Sequence, residues 1–343
     1  MEDVLKIEIS ALQDHAQPQI RKSLRRSQVP NELPLLFAGD GSKDMQWIRA
    51  NGRQILEAVE SWGAVLIRGF SSWQQQDVRA AVQNISGEDP LDYMYRSTPR
   101  TELARGVYTA TEYPAGLPIP LHNENSYQRD WPMLLFFFCQ QPADRGGGQT
   151  TLAHTRCVTD RIDQSIRRKF AEKGVMYIRN YRQGIDLPWT KVFQTNSRRD
   201  VEEYCVAHDM TFEWTGEGNL RTSQVCDAMQ VHPHTGSVLW FNQAHLFHPS
   251  SLDRRTRETM SEMFKGQGLP RNASYGDGSV LDEADLKSIR SAYEKDVVGV
   301  NWEKGDLLVL DNMHICHGRS PYRGTRKVLT AMARPFSSAR GRL

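Results

Sequence analysis

The sequence predicts a mainly β protein with helical insertions, a sandwich or jelly roll and not an alternating α/β sheet. Short β-like runs divided by Gly, Pro and Asn dominate beyond residue 100: Leu134 to Cys139, Val238 to Phe241, Leu307 to Leu310 and Lys327 to Met332. Runs of that length spread over such a span suit stacked antiparallel sheets. No GxGxxG follows a strand and no GxxxxGK[ST] occurs, which removes the simplest dinucleotide and nucleotide folds. The absence of repeats, low-complexity tracts and linkers predicts one domain over residues 1–343. Its first part, about residues 1–100, is mostly helical and packs on the jelly roll.

The elements follow from local patterns. After Asp44 the apolar residues Trp47, Ile48, Ile55, Leu56 and Val59 recur at helical spacing, and Gly63 then opens the strand Ala64 to Ile67. A second helix is expected from Ser72, with Gln75 as its capping-box partner. Ile162, Ile166 and Phe170 predict a helix that stops at Gly174, and Asp282 to Lys295 reads as a further amphipathic segment. Gly146-Gly147-Gly148 reads as a tight turn or bulge and not a phosphate cradle, because no helix N-terminus clearly follows.

Composition excludes several classes of partner. The 343 residues are 39% hydrophobic, enough for a sizeable core, and 43 Lys and Arg face 41 Asp and Glu. A formal charge of +2 implies no general attraction to nucleic acid or an anionic membrane. The longest apolar run, Met133 to Cys139, is far short of the roughly 20 residues that span a bilayer. The early acids of the N-terminus argue against a signal peptide, so the expected location is the cytoplasm. Five cysteines without a CxxC pair read as buried free thiols; Cys316, beside a proposed ligand, reads as an oxidation liability. The sequence carries no signal for oligomeric state.

The chemistry centres on Leu121-His122-Asn123-Glu124-Asn125-Ser126-Tyr127. Along an extended strand, residues two apart share a face, so His122 and Glu124 can offer a nitrogen and an oxygen to one ion. Alone such a pair is weak evidence, because HxE often arises by chance. The best third ligand is His317, in Asp311-Asn312-Met313-His314-Ile315-Cys316-His317-Gly318-Arg319. Two His and one carboxylate leave three positions of an octahedral ion open for a chelating keto acid and dioxygen, whereas structural zinc closes its shell. His314, which a strand would turn away from His317, and His245 and His248 are the weaker candidates.

With these residues in view, the chain from about Gly63 to Arg334 resembles the taurine dioxygenase (TauD/TfdA-like) family of Fe(II)- and 2-oxoglutarate-dependent oxygenases. The HxE segment, Gly147-Gly148-Gln149-Thr150, and the DNxxxxHGR segment followed by an Arg carry the resemblance. It implies a double-stranded β-helix, metal binding and catalysis by His122, Glu124 and His317, and 2-oxoglutarate held by Arg326 with Thr150. Arg326 suits that role physically, since a strand-borne guanidinium is a planar two-donor partner for a carboxylate. Arg334, eight residues on and read as the end of its strand, is the alternative anchor.

Glu in place of the commoner Asp matches the clavaminate synthase-like branch, and retention of a carboxylate disfavours halogenation. The resemblance implies oxidation of an unactivated C–H bond, most simply hydroxylation, with dioxygen consumed and 2-oxoglutarate converted to succinate and CO₂. Thr330 stands where taurine dioxygenase has its sulfonate-binding Arg, so a small free sulfonate is not expected. Tyr108, Asn123, Tyr127 and Phe241, with Glu112 and Trp240, flank the motifs and are candidate substrate residues. The segments LHNENSY and WFNQAHLFH are similar to those of members acting in natural-product assembly, on amino acids or on carrier-protein-tethered aminoacyl groups. Competing readings are a desaturase of the same class, a zinc-dependent hydrolase or lyase on the same ligands, and a non-catalytic jelly roll that keeps a structural metal.

Overall fold

Burial on both faces of one sheet explains the longest apolar run. In the computed structural model, which describes residues 33–338 apart from 39–42, 71–72, 94, 96, 183, 185 and 217, that run lies inside a strand from Asp130 to Gln141. Leu134, Phe136 and Phe138 pack to one side and Leu135, Phe137 and Cys139 to the other. A strand covered on both faces reads as a continuous hydrophobic stretch without polar alternation.

The first part of the chain contains β1 (Leu35–Phe37), α1 (Met45–Trp62), β2 (Ala64–Ile67), α2 (Gln75–Ser86), β3 (Glu102–Ala104), β4 (Val107–Thr109), β5 (Ile119–His122), β6 (Asp130–Gln141) and β7 (Thr150–His154). Then follow α3 (Thr155–Arg161), α4 (Gln164–Lys173), β8 (Val175–Tyr181), α5 (Trp189–Val192), α6 (Arg198–Ala207), β9 (Thr211–Thr215), β10 (Asn219–Cys226), β11 (Met229–Val231) and β12 (Val238–Trp240). The last part holds α7 (Ala244–Phe247), α8 (Arg254–Met263), β13 (Arg271–Tyr275), α9 (Glu283–Tyr293), β14 (Val298–Val300), β15 (Leu307–Asp311), β16 (Ile315–Arg319) and β17 (Lys327–Ser337).

The major sheet has seven strands in the order β1-β2-β15-β6-β17-β4-β3, and a four-stranded sheet, β14-β7-β16-β5, lies over one of its faces. Leu135, Phe137, Leu308 and Leu310 from the major sheet and Leu152, Val300 and Ile315 from the minor one form a single core cluster between them. The opposite face of the major sheet is covered by α1 and α2 through Ile48, Ile55, Val59, Val78 and Val82. A further antiparallel sheet, β13-β8-β10-β9, is separate. The predicted mainly β sandwich with helical insertions is the fold observed.

Several local expectations change in detail. The helix after Asp44 is found, with Asp44 accepting from the Trp47 amide, but the next helix begins at Gln75 and Asp77 closes on the Gln74 amide. Ser72, its expected start, lies outside the described residues, as does the N-terminal segment read for a leader. Ile162 and Ile166 do not share a helix: α3 ends before Ile162, and Asp163 caps a new helix by accepting from the Ser165 amide. Residue Arg334 does not end its strand. β17 runs on through Pro335, opposite Pro132, to Ser337. No helix among the described residues is long and apolar enough to cross a membrane.

Candidate active site

Sheet register brings the two histidines together. β16 pairs antiparallel with β5 so that His317 lies opposite His122, and their ring centroids are 4.5 Å apart. Glu124 does not reach them by strand alternation. β5 ends at His122, and Glu124 sits in a turn whose next residue, Asn125, has φ 59°. Asn312 holds that turn: its Oδ1 accepts from the Glu124 amide at 2.7 Å, and its Nδ2 donates to the Glu124 and Pro132 carbonyls at 2.9 Å each. The strand expectation for HxE is therefore corrected. A turn clamped by a side-chain amide does the aiming, because the chain must leave the sheet here to reach β6.

One ligand atom from each of His122, Glu124 and His317 lies within 4.8 Å of the others, and His317 Nε2 is 3.9 Å from Glu124 Oε2. His122 Nδ1 is 2.9 Å from the Pro120 carbonyl, which can only accept, so Nδ1 carries the proton and Nε2 is left for a metal. Burial, then the neighbouring His122, pushes the His317 pKa well below its ordinary value against the pull of Glu124, so this ring is neutral. Neutral imidazoles and an ionised carboxylate are the protonation states that a metal requires. The donor set fits Fe(II).

Two residues outside the motifs hold the carboxylate. Arg100 donates to Glu124 Oε2 at 2.7 Å, and the Tyr93 hydroxyl donates to Oε1 at 2.8 Å. The Arg100 guanidinium also lies over the Tyr93 ring, 4.9 Å from its centroid. Burial alone would raise the Glu124 pKa; Arg100 first, then His122, His317 and Tyr93, more than offset it and hold the value at about 2. Neither Arg100 nor Tyr93 was anticipated. They arrive from an irregular segment with no periodicity or fixed spacing to Glu124.

Beside the triad is a narrow cavity lined by His122, His317, Thr150, Arg319, Arg326 and Arg100, among others. Arg326 donates through Nε to the Gly148 carbonyl at 2.9 Å, and its terminal nitrogens make no hydrogen bond among the described residues. Burial, then Arg319, lowers its pKa to about 10, so it remains charged at neutral pH. Thr150, 3% exposed, accepts from Trp302 Nε1 at 3.1 Å. The three glycines form the expected irregular turn, with φ of 88°, 77° and 71°. A Cβ on Gly148 would stand 2.9 Å from Arg326 Cδ, so glycine here lets the arginine pass. Arg334 points elsewhere, donating to the Ser86 carbonyl and pairing with Glu60.

Over residues 31–332 the chain matches the family described as Taurine catabolism dioxygenase TauD, TfdA family. The chain belongs to this family. DdaC, a dapdiamide synthesis protein of Enterobacter agglomerans, is 39% identical over 279 residues, 81% of this chain and 84% of that protein. A clavaminate synthase-like protein of Arabidopsis thaliana is 28% identical over 301 residues, 84% of this chain and 87% of that protein. The structure of an asparagine oxygenase with Fe(II), 2S,3S-3-hydroxyasparagine and succinate covers 96% of this chain and 92% of its own, at 11% identity and a TM-score of 0.52. That last likeness is one of fold.

As a TauD-family protein, the chain is an Fe(II)- and 2-oxoglutarate-dependent dioxygenase, which removes the zinc hydrolase and the non-catalytic jelly roll as readings. The residues weighed against His317 have other work. His314 sits in a turn and stacks on His232 at 4.0 Å, with Asp311 between them. His232, Asp311 and His314 are close enough to hold an ion, but His232 Nδ1 already accepts from the His234 and Thr235 amides. Its Nε2 therefore carries a proton and donates to Asp311 at 2.9 Å, leaving no lone pair for a metal. His245 is buried against Tyr293, and His248 caps a short turn by accepting from the Ser250 amide.

The candidate substrate residues Tyr108, Asn123, Tyr127 and Phe241 are all nearly or fully buried, as is Trp240. The Tyr108 hydroxyl accepts from the Tyr93 amide, Asn123 donates to Thr155 and the Asn312 carbonyl, and the Tyr127 hydroxyl donates to the Tyr95 carbonyl. Phe241 packs on Trp131. None of these five is among the residues that line the narrow cavity or the larger one described below. Glu112 does line the larger cavity. The five cysteines are free, all buried except the half-buried Cys157. Burial pushes the Cys316 thiol up to about 12, so it stays protonated.

Proposed function

We propose that the enzyme oxidises an unactivated C–H bond of an amino acid or related small molecule, most simply by hydroxylation, in a cytoplasmic natural-product pathway. His122, Glu124 and His317 are the proposed metal ligands, with Arg326 and Thr150 the proposed anchor for the distal carboxylate of 2-oxoglutarate. The observation that carries this reading is that His122 and His317, within 4.8 Å of Glu124, border the same cavity as Arg326 and Thr150. When bound, Fe(II) with 2-oxoglutarate and dioxygen supplies the oxidising power, the keto acid leaving as succinate and CO₂. The chain supplies position. With Tyr93 and Arg100 each holding one oxygen, the Glu124 carboxylate would be fixed in place for the metal.

The likeness to a dapdiamide synthesis protein supports natural-product chemistry, and that to an Arabidopsis clavaminate synthase-like protein supports the HxE branch. A carrier-protein-tethered aminoacyl group is the alternative form of substrate. The test is succinate release in the presence of free amino acids and of the same groups as carrier-protein thioesters. Faster turnover of the thioester assigns a tethered substrate, and equal or faster turnover of the free acid removes it. Succinate release that no amino acid or aminoacyl thioester stimulates contradicts the proposed substrate class. A product two hydrogens lighter than substrate, without added oxygen, identifies desaturation.

A further inference from the structure

We infer that a second, larger cavity is the substrate's binding site and that it selects a small polar compound carrying a free carboxylate together with an ammonium or amide N–H. This inference rests on the oxygenase reading above. The cavity, about 590 Å³, is bordered by Arg100, Glu112, Lys191, Gln194, Thr195 and Asn196. Its size is that of an ordinary small-molecule site. Arg100 borders both this cavity and the narrow one beside the triad, so one guanidinium, already bonded to Glu124, forms a wall common to the two. With the narrow cavity assigned to 2-oxoglutarate, the larger one is a space bordered by the arginine that holds the ligand carboxylate.

Its lining mixes charged and polar side chains with the apolar Pro99 and Leu187. Lys191 is exposed and has no ion pair among the described residues, so it gives one region of the wall positive potential that attracts a carboxylate, while the Arg100 charge is taken up by Glu124. Glu112 accepts from the Thr101 amide and the Thr101 and Thr109 hydroxyls, all through Oε1. Its Oε2 is left for an N–H of the ligand. Gln194, Thr195 and Asn196 add amide and hydroxyl groups, and an aromatic or aliphatic substrate would strip water from all of them without replacing it.

The wall is also built onto the metal ligand's support. Gln194 has φ 54°, a conformation unfavourable for a residue with a side chain, and its Nε2 donates to the Tyr93 carbonyl at 2.8 Å. Close by, the Tyr95 amide donates to the Val192 carbonyl at 3.1 Å. The strap from Leu187 to Asn196 is thus fastened to the segment that carries Tyr93 and Arg100. Strained backbone persists where surrounding bonds hold it in place, and such places cluster at ligand sites.

Saturation-transfer NMR on the full, metal-free chain tests this with three matched pairs: L-asparagine and L-asparaginamide, L-glutamine and L-glutaminamide, glycylglycine and glycylglycinamide. At least one acid binds and its amide binds about tenfold more weakly; Lys191→Glu weakens that acid by about tenfold. Lys191→Glu leaves the absorbance of the Fe(II)–2-oxoglutarate complex unchanged, because Lys191 does not border the narrow cavity. An amide that binds as well as its acid, the absence of binding by every acid, or an indifferent Lys191→Glu overturns the inference. Added Mn(II) with N-oxalylglycine then broadens the resonances of the bound acid. If the Fe(II)–2-oxoglutarate absorbance forms but this broadening is absent, the cavity is not the substrate's. If that absorbance never forms, the oxygenase reading fails instead, and the preference for acids is still read from the metal-free chain.

Discussion

His122 and His317, far apart in sequence, are direct partners across the β5–β16 pair. Two of the three proposed ligands are thereby fixed by a hydrogen-bonded register that a one-residue slip would destroy. The third, Glu124, depends on side chains: Asn312 for its backbone, Arg100 and Tyr93 for its carboxylate. The site is as rigid as those bonds make it.

Asn312→Ala tests the clamp. Loss of three buried hydrogen bonds frees the turn that carries Glu124, and metal affinity falls by roughly 10–100-fold, as for other residues that orient ligands. Anaerobic Co(II) titration followed by visible absorption measures it. Unchanged affinity would show that the turn holds its shape without Asn312.

The two arginines of β17 and the turn before it are separable. Arg326→Ala removes the charged, two-donor partner proposed for 2-oxoglutarate and raises the concentration needed for half-maximal succinate release by roughly 10–100-fold. Arg334→Ala leaves that concentration within about twofold, because Arg334 binds Ser86 and Glu60 away from the cavity. The reverse order of effects would move the anchor to Arg334.

These contrasts mark what the sequence discloses. The run Met133 to Cys139 is legible because burial on two faces demands apolar residues throughout, and β15 is legible for the same reason. His122, Glu124 and His317 are legible as residue types in motifs, yet the turn at Glu124 is not, since HxE fits a strand equally well. Arg100 and Tyr93 are illegible: a buried Arg in an irregular segment has no period, and its partner is known only once the chain has folded. The break at Asp163 is present in the sequence as a helix cap, but the helical spacing of Ile162, Ile166 and Phe170 masks it.

Arg100→Met tests the buried ion pair. Arg100 and Glu124 side chains are 3% and 5% exposed, so removing the cation leaves a carboxylate buried with only Tyr93 and the histidines nearby. Urea unfolding of the metal-free protein loses about 3–5 kcal/mol, whereas Tyr93→Phe loses about 1 kcal/mol. Equal effects would mean that the charge adds nothing beyond one hydrogen bond.

Stability of the metal-free protein falls with acid. Burial, then Arg290, lowers the His245 pKa from 6.5 to about 3, so the unfolded chain binds a proton that the folded one refuses. The stability is complete above the unfolded value of about 6.5 and is lost progressively as pH drops toward 3, on the order of 2 kcal/mol by pH 5. His245→Phe keeps the stack on Tyr293 and flattens the slope between pH 6.5 and 5, read from urea midpoints. An unchanged slope would assign it to other groups, His317 first.

The most direct test of the central claim is an anaerobic titration of the purified protein with Fe(II) and 2-oxoglutarate, followed by the weak visible charge-transfer absorption of the chelate. The account predicts that the band appears in the wild type, is lost in His317→Ala, and needs far more 2-oxoglutarate in Arg326→Ala. A band of equal strength in His317→Ala, or none in the wild type under saturating Fe(II), would contradict a metal centre built from His122, Glu124 and His317.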